Sequence, residues 1–360
     1  MDKTTRHARS VHSPKRSSTL SCLTCHRKSA SNTVDAMRRN PSIDRLADEA
    51  ERERRYFFGK TNAQRHAMRR RRDAGELMSP YKGIYARKNY SATLDPRTRT
   101  MHLIRALGKL HPGWSFAGLS AANIHGLPYR QSLDDDTTVC IATRHSTNQR
   151  HADGLTLIHM TDIPVTTCAG LLTTTVERTL IDCALRHSFI DVLGMFDFVL
   201  SMGLTTAEGV KEQCATLQKS KADTVINVLH YANPLSENGG ESMCRAVIIE
   251  AGFVLPELQQ EFRDPRDGDK LYRVDFLWRL PDRRLVVLEY DGMEKYRNPK
   301  MTGWRGTRAV VTDERARENA LRRAGISEII RTDFQEVINR QPLVDKLATA
   351  GIPPAASLRN

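Results

Sequence analysis

Residues 271–292 read LYRVDFLWRLPDRRLVVLEYDG, two apolar, β-rich runs on either side of a turn that carries Pro281 and Asp282. A hairpin centred near Asp282 sets Asp275 directly across from Glu289, with side chains roughly 5 Å apart. Asp291 lies two residues beyond Glu289, so period-2 alternation puts it on the same face. Val274, Phe276 and Trp278 then turn the other way, with Val286, Leu288 and Tyr290. The hairpin keeps carboxylates on one face and hydrocarbon on the other. Like charges that close are unfavourable unless a cation neutralises them, and hard oxygen clusters suit Mg²⁺ or Mn²⁺. The plainer alternative is a pair of half-exposed acids held by Arg273, Arg283 or Arg284.

A fourth acid belongs to the same picture. Glu241 sits in GGESMCRAVIIEAGF, a helix expected to start after Gly239-Gly240 and stop at Gly252. At a helix start a carboxylate also favours the positive end of the dipole, worth about 0.3–1 kcal/mol.

Helix with Glu, strand, strand with Asp, strand with Glu-x-Asp, then the helix TDERARENALRRAG and the strand SEIIR: this order resembles the PD-(D/E)XK nuclease superfamily. It is closest in kind to the small domain related to very-short-patch-repair endonucleases. The resemblance implies a metal held by Asp275 and Glu289, with Glu241 orienting water or a second metal. The family places a Lys two residues after the Glu. This chain has Asp291 there, a candidate metal ligand, and Lys295, in the run DGMEKY, is the candidate catalytic cation that would neutralise developing charge from the next turn.

At 360 residues the chain is long enough for two or three domains. No stretch approaches the roughly 18–20 apolar residues of a membrane span, and no apolar run marks a secretory signal at the N-terminus. Seven scattered cysteines argue against a disulfide framework and for a reducing, cytoplasmic compartment. Residues 1–72 hold 19 Lys+Arg against 7 Asp+Glu, so 19 − 7 = +12 of the net +13 sits in the first fifth of the chain. A basic surplus placed this way is expected of a binder of phosphate backbones, and double-stranded DNA is the expected partner. Without a lipidation motif or an aromatic-rich amphipathic helix, a membrane partner is not expected.

Residues 1–40 read as a disordered basic tail. CLTCH, Cys22 to His26, matches a haem-attachment pattern in letters only, and neighbouring His residues fit no zinc spacing, so it reads as an incidental pair. From Ser42, a plausible N-cap, IDRLADEAERERRYF is helical, with Ile43, Leu46, Ala47, Ala50 and Arg54 on one stripe. TNAQRHAMRRRRDAG follows, capped by Thr61 and stopped by Gly75, with Ala63, Ala67 and Ala74 as its apolar face. Arg65, Arg69 and Arg72 share another face, widened by Arg70 and Arg71. Two short strands about Lys82-Gly83 complete the order of a winged helix-turn-helix over residues 41–90. Its basic helix would enter the major groove, with Lys82 and Arg87 near phosphate; the alternative is an ordinary solvated Arg-rich face.

Residues 91–235 offer no catalytic signature. WSFAGLSAANIHGLPY reads as a short helix with Ser115 or Ser120 near its start and a packed His125. TTVCIATR and GLTLIHM read as strands, TTTVERTLIDCALR and FIDVLGMFDFVLSMG as apolar-faced helices. The series RRRRDAGELMSPYKGIYAR, GLSAANIHGLP and TTTVERTLIDCALR resembles AbiEi-type antitoxins, the regulators of type IV toxin–antitoxin systems. That resemblance implies a winged helix on an operator, a cognate toxin as partner, and a non-catalytic role as the alternative to a nuclease. The expected fold is therefore α+β and multidomain. It comprises the tail, the winged unit, a mixed α/β middle at 91–235, a PD-(D/E)XK-like domain at 236–342 and a C-terminal helix and tail at 343–360.

Overall fold

The computed structural model describes residues 41–133, 138–145, 154–292 and 307–355, and the fold they form is α+β. The tail with its CLTCH stretch lies outside the described residues, as does Lys295.

The N-terminal elements are α1 (Pro41–Arg52), β1 (Phe57–Phe58), α2 (Asn62–Asp73), β2 (Leu77–Tyr81) and β3 (Ile84–Arg87), with the strands ordered β1-β3-β2. α1 already includes Pro41, so Ser42 sits in its first turn instead of capping it. Ile43, Ala47 and Ala50 are buried as the stripe requires, and they pack with Phe57, Ala67, Met68, Leu77 and Tyr85. Thr61 caps α2 in a full capping box: its Oγ accepts from the Gln64 N–H at 3.2 Å, and Gln64 Oε1 accepts from the Thr61 N–H at 3.2 Å. Thr61→Ala should cost about 1 kcal/mol, read as a lower denaturation midpoint with the fold unchanged. Gly75, at φ +83°, ends the helix, and Gly83, at φ +82°, makes the β2–β3 turn. The buried face of α2 is Ala67 and Met68, while Ala63 and Ala74 are exposed. An all-alanine stripe carries too little hydrocarbon to compete with Met68 for the core.

β3 also faces a second core. Ile84 and Ala86 meet Leu103, Ile104 and Leu107 of α4 (Pro96–Leu110), which follows the short α3 (Lys88–Ala92), and Phe116, Val139 and Ile141 close that core. α5 (Gly118–Ile124) starts after Ala117 and holds Ser120 inside, where its Oγ accepts from the Cys140 N–H at 2.9 Å. β4 (Val139–Thr143) and β5 (Leu155–His159) pair in parallel, and β6 (Val165–Cys168) and β7 (Leu171–Thr174) form a hairpin. Phe116 bridges to both Ile141 and Thr173. His125 is packed as expected, its Nε2 at 2.8 Å from the Thr174 carbonyl.

Four helices follow: α6 (Val176–Ala184), α7 (Phe189–Ser201), α8 (Ala207–Cys214) and α9 (Lys219–Tyr231). Then come α10 (Gly239–Glu250), β8 (Glu257–Asp264), β9 (Asp267–Arg279), β10 (Leu285–Asp291), α11 (Thr307–Arg323), β11 (Ile326–Asp333), α12 (Phe334–Asn339) and α13 (Gln341–Thr349). The last sheet is ordered β11-β10-β9-β8, antiparallel except for β10 with β11, which α11 connects in parallel. The largest apolar core runs without a break from α6 and α7 through α10 to Phe276, Trp278, Val286 and Leu288, and on to Val337, Leu343 and Leu347. At its centre Arg245 of α10 grips Asp197 of α7 with two hydrogen bonds, 2.6 and 2.7 Å, and both side chains are buried. Among the described residues no helix is long and apolar enough to cross a membrane.

Candidate functional site

The β9–β10 hairpin turns where its sequence says it should. Leu280 and Arg284 close the turn, Arg279 pairs with Leu285, and Phe276 pairs with Leu288. The pairing ends at Phe276 and Leu288, and Asp275 and Glu289 are the next residue on each strand, close enough for the charge of Asp275 to raise the Glu289 pKa. The Asp275 carboxylate also accepts the Tyr290 N–H at 2.8 Å. Both faces of this sheet carry hydrocarbon, however: Val274, Leu277 and Val287 pack with Leu321 of α11. The acids therefore occupy one end of a covered face, not an open polar one, because the parallel β10–α11–β11 crossover lays a helix over it.

Glu241 joins them from the first turn of α10, whose N-cap is Asn238. Its carboxylate accepts from the Glu237 N–H at 2.9 Å, from Asn238 Nδ2 at 2.5 Å and from Gln259 Nε2 at 2.9 Å. Those donors favour the ionised form, yet burial outweighs them and Asp275 adds like charge, so the Glu241 pKa is pushed up to about 7. The folded state thus holds a proton that the unfolded chain releases at 4.5. The stability this contributes is complete below pH 4.5 and is lost as pH rises through about 7, on the order of 3 kcal/mol in total. In EDTA the denaturation midpoint should therefore fall between pH 5 and pH 8, and Glu241→Gln should flatten that fall.

Glu289 is buried, and burial raises its pKa against the pull of Arg317. Arg317 Nη1 donates to Glu289 Oε2 at 2.6 Å, and Nη2 donates to the Arg273 carbonyl. The partner of Glu289 is thus on α11, and none of Arg273, Arg283 and Arg284 serves: Arg273 pairs with Glu237, and Arg284 pairs with Asp282. Asp291 faces Arg331 of β11 at 3.7 Å, and Arg331 also holds Glu314 and Glu318.

Gln259 of β8 is a site residue that sequence pattern did not flag. It stands between Leu258 and Gln260, which pair with Phe276 and Val274, and so falls beside Asp275. Its φ is +53°, a left-handed backbone that a strand glutamine rarely adopts, and such strain gathers at functional sites. Two buried acceptors near the acids, Gln259 Oε1 and Glu289 Oε1, make no hydrogen bond. Open buried oxygens beside an acid cluster fit a hard cation. Against it, no group of three His, Cys, Asp or Glu among the described residues is arranged to ligate one, and Arg317 and Arg331 engage Glu289 and Asp291.

The basic surface is divided. Arg69, Arg70 and Lys82 are exposed, with no ion-pair partner among the described residues. Arg65 is drawn back to the Gly59 carbonyl and Asn62, and Arg72 to Asp73. Arg71 bridges Asp44 and Glu76, and Arg87 is held by Asp44, Asp48 and Glu51 of α1. Arg71 and Arg87 therefore tie α2 and β3 to α1.

No family profile matches the chain, and no solved structure resembles it significantly. The uncharacterized proteins MT2308 and Rv2248 of Mycobacterium tuberculosis are each 39% identical to it over 72 residues, 20% of this chain. The match spans about a quarter of the length of those relatives, at 25%.

Proposed function

We propose that the chain is a double-stranded-DNA-binding protein whose C-terminal part is a metal-dependent, PD-(D/E)XK-type endonuclease-like domain. The observation that carries this reading is the meeting of Glu241, Asp275 and Glu289 at one end of a sheet built in the order helix, three antiparallel strands, helix, parallel strand. Asp275 and Glu289 would hold Mg²⁺ or Mn²⁺, which polarises a phosphate and lowers the pKa of an attacking water. Glu241, poised near neutrality, can take or give a proton at that end, and Arg317 supplies the cation that Asp291 cannot. α2 and the β2–β3 turn form a helix-and-wing unit that would present Arg69, Arg70 and Lys82 to the DNA backbone.

One observation favours the rival reading, a non-catalytic AbiEi-type antitoxin or transcriptional regulator with an operator and a toxin as partners. With Arg317 on Glu289 and Arg331 beside Asp291, two of the acids are already neutralised by the protein itself. Supercoiled plasmid with Mg²⁺ or Mn²⁺ separates the two. Nicking by the wild type that disappears in both Asp275→Ala and Glu289→Ala supports the nuclease. Gel shifts without nicking in any metal support the regulator. Nicking that survives both substitutions rejects the site. Gel-shift binding should weaken as salt rises and drop in Arg69→Ala/Arg70→Ala.

A further inference from the structure

A cleft of about 700 Å³ opens beside the start of α10 and plays no part in the proposed nuclease chemistry. Its walls come from the loop after α5, from α7, from the first turns of α10, from the end of β10 and from α12. Tyr129, Tyr290 and Phe334 line it, with Arg130 and Asp191 as its charged pair and Gly240 in its wall. Gly240 is there by necessity: a Cβ would lie 2.3–2.5 Å from Tyr290 side-chain atoms, so the tyrosine packs directly on the backbone at the helix start. Gly240 precedes Glu241, whose charge is felt at the Tyr290 ring, so this wall borders Glu241, while Glu289 leaves β10 on the face opposite Tyr290. The volume falls within the roughly 300–1,000 Å³ of small-ligand sites.

The lining narrows the chemistry. Aromatic and aliphatic walls suit a flat ring and repel a phosphate cluster. At the polar edge, Asp191 Oδ1 is buried, lies 3.3 Å from Arg130 Nη1 and makes no hydrogen bond. An acceptor beside a guanidinium donor matches the edge of a nucleobase, where N–H and carbonyl or ring-nitrogen groups alternate. We infer that this cleft receives a single unstacked nucleobase, read at its edge by Asp191 and Arg130, with its sugar-phosphate directed toward Glu241 at the start of α10. The inference rests on the proposed DNA reading and adds the substrate element: a nucleotide drawn out of the stack, which is easiest for a mispaired or single-stranded base.

The test needs neither cleavage nor a known target sequence. Each of AMP, GMP, CMP and TMP is titrated by calorimetry into the full chain in EDTA, with ribose 5-phosphate as the baseless control. At least one mononucleotide should bind ten-fold or more tightly than the control. Ser132→Trp, a substitution at an exposed rim residue, should abolish that difference, and Asp191→Asn should change which base is preferred. Equal binding of ribose 5-phosphate, no binding at millimolar concentration, or binding unchanged by both substitutions overturns the slot. Plasmid nicking decides the nuclease reading separately. Base-dependent binding without nicking keeps the slot and sinks the nuclease; nicking without base-dependent binding does the reverse.

Discussion

Asp197→Ala should cost about 3–5 kcal/mol of stability, the largest loss expected from any single substitution here. The carboxylate accepts two hydrogen bonds from Arg245 and one, at 2.8 Å, from the Asn233 N–H. Removing it strands a guanidinium that is 5% exposed and deprives the α9–α10 link of its acceptor. The loss comes from the unpaired charge and not from the worth of the pair, so Asp197→Ala/Arg245→Met should recover much of it. Denaturant midpoints of the two variants, measured side by side, check this. Equal midpoints would mean that the pair is incidental.

Glu289→Gln should lower any metal-dependent cutting by on the order of 10³-fold, about 4 kcal/mol of transition-state stabilisation, while leaving the fold intact. Burial already penalises the Glu289 charge, so a neutral amide of the same shape removes a cost as well as a partner. Arg317→Met tests the same contact from the other side. It leaves a buried carboxylate without its cation, so the pKa of Glu289 should climb further. A raised carboxyl pKa means stability that is present at low pH and lost as pH rises. Arg317→Met should therefore unfold more easily at pH 8 than at pH 5, relative to wild type. A variant with no such pH slope would show that Arg317 does not control the charge of Glu289.

Much of this site was legible because a tight hairpin fixes register by counting. Pro281 and Asp282 mark the turn, and from them the pairing follows as far as Phe276 with Leu288, which leaves Asp275 and Glu289 next on each strand. Glu241 was legible as a helix-start acid after two glycines. Gln259 was not, because nothing in a polar strand residue announces a left-handed backbone. Distant partners were equally silent. Arg87 is claimed by Asp44 and Glu51, and Glu289 by Arg317, 28 residues along the chain, and neither periodicity nor composition encodes such pairings. The face of α2 was misassigned for another reason: alanines satisfy a helical pattern without demanding burial, whereas Met68 does demand it.

The core that runs unbroken from α6 to α13 makes the two halves of the chain complementary fragments. A protease cutting in the exposed Pro234–Leu235 stretch would sever the backbone while leaving Val192, Leu193 and Phe196 against Cys244 and Val247. The nicked protein should migrate as one species until denaturant parts it. Expressed apart, each half would present a raw apolar wall, and the two should regain solubility and the Glu241 environment only on mixing. The carboxylate end of the sheet is therefore a property of the joined chain, and moving residues 236–342 alone onto another protein would not carry it along.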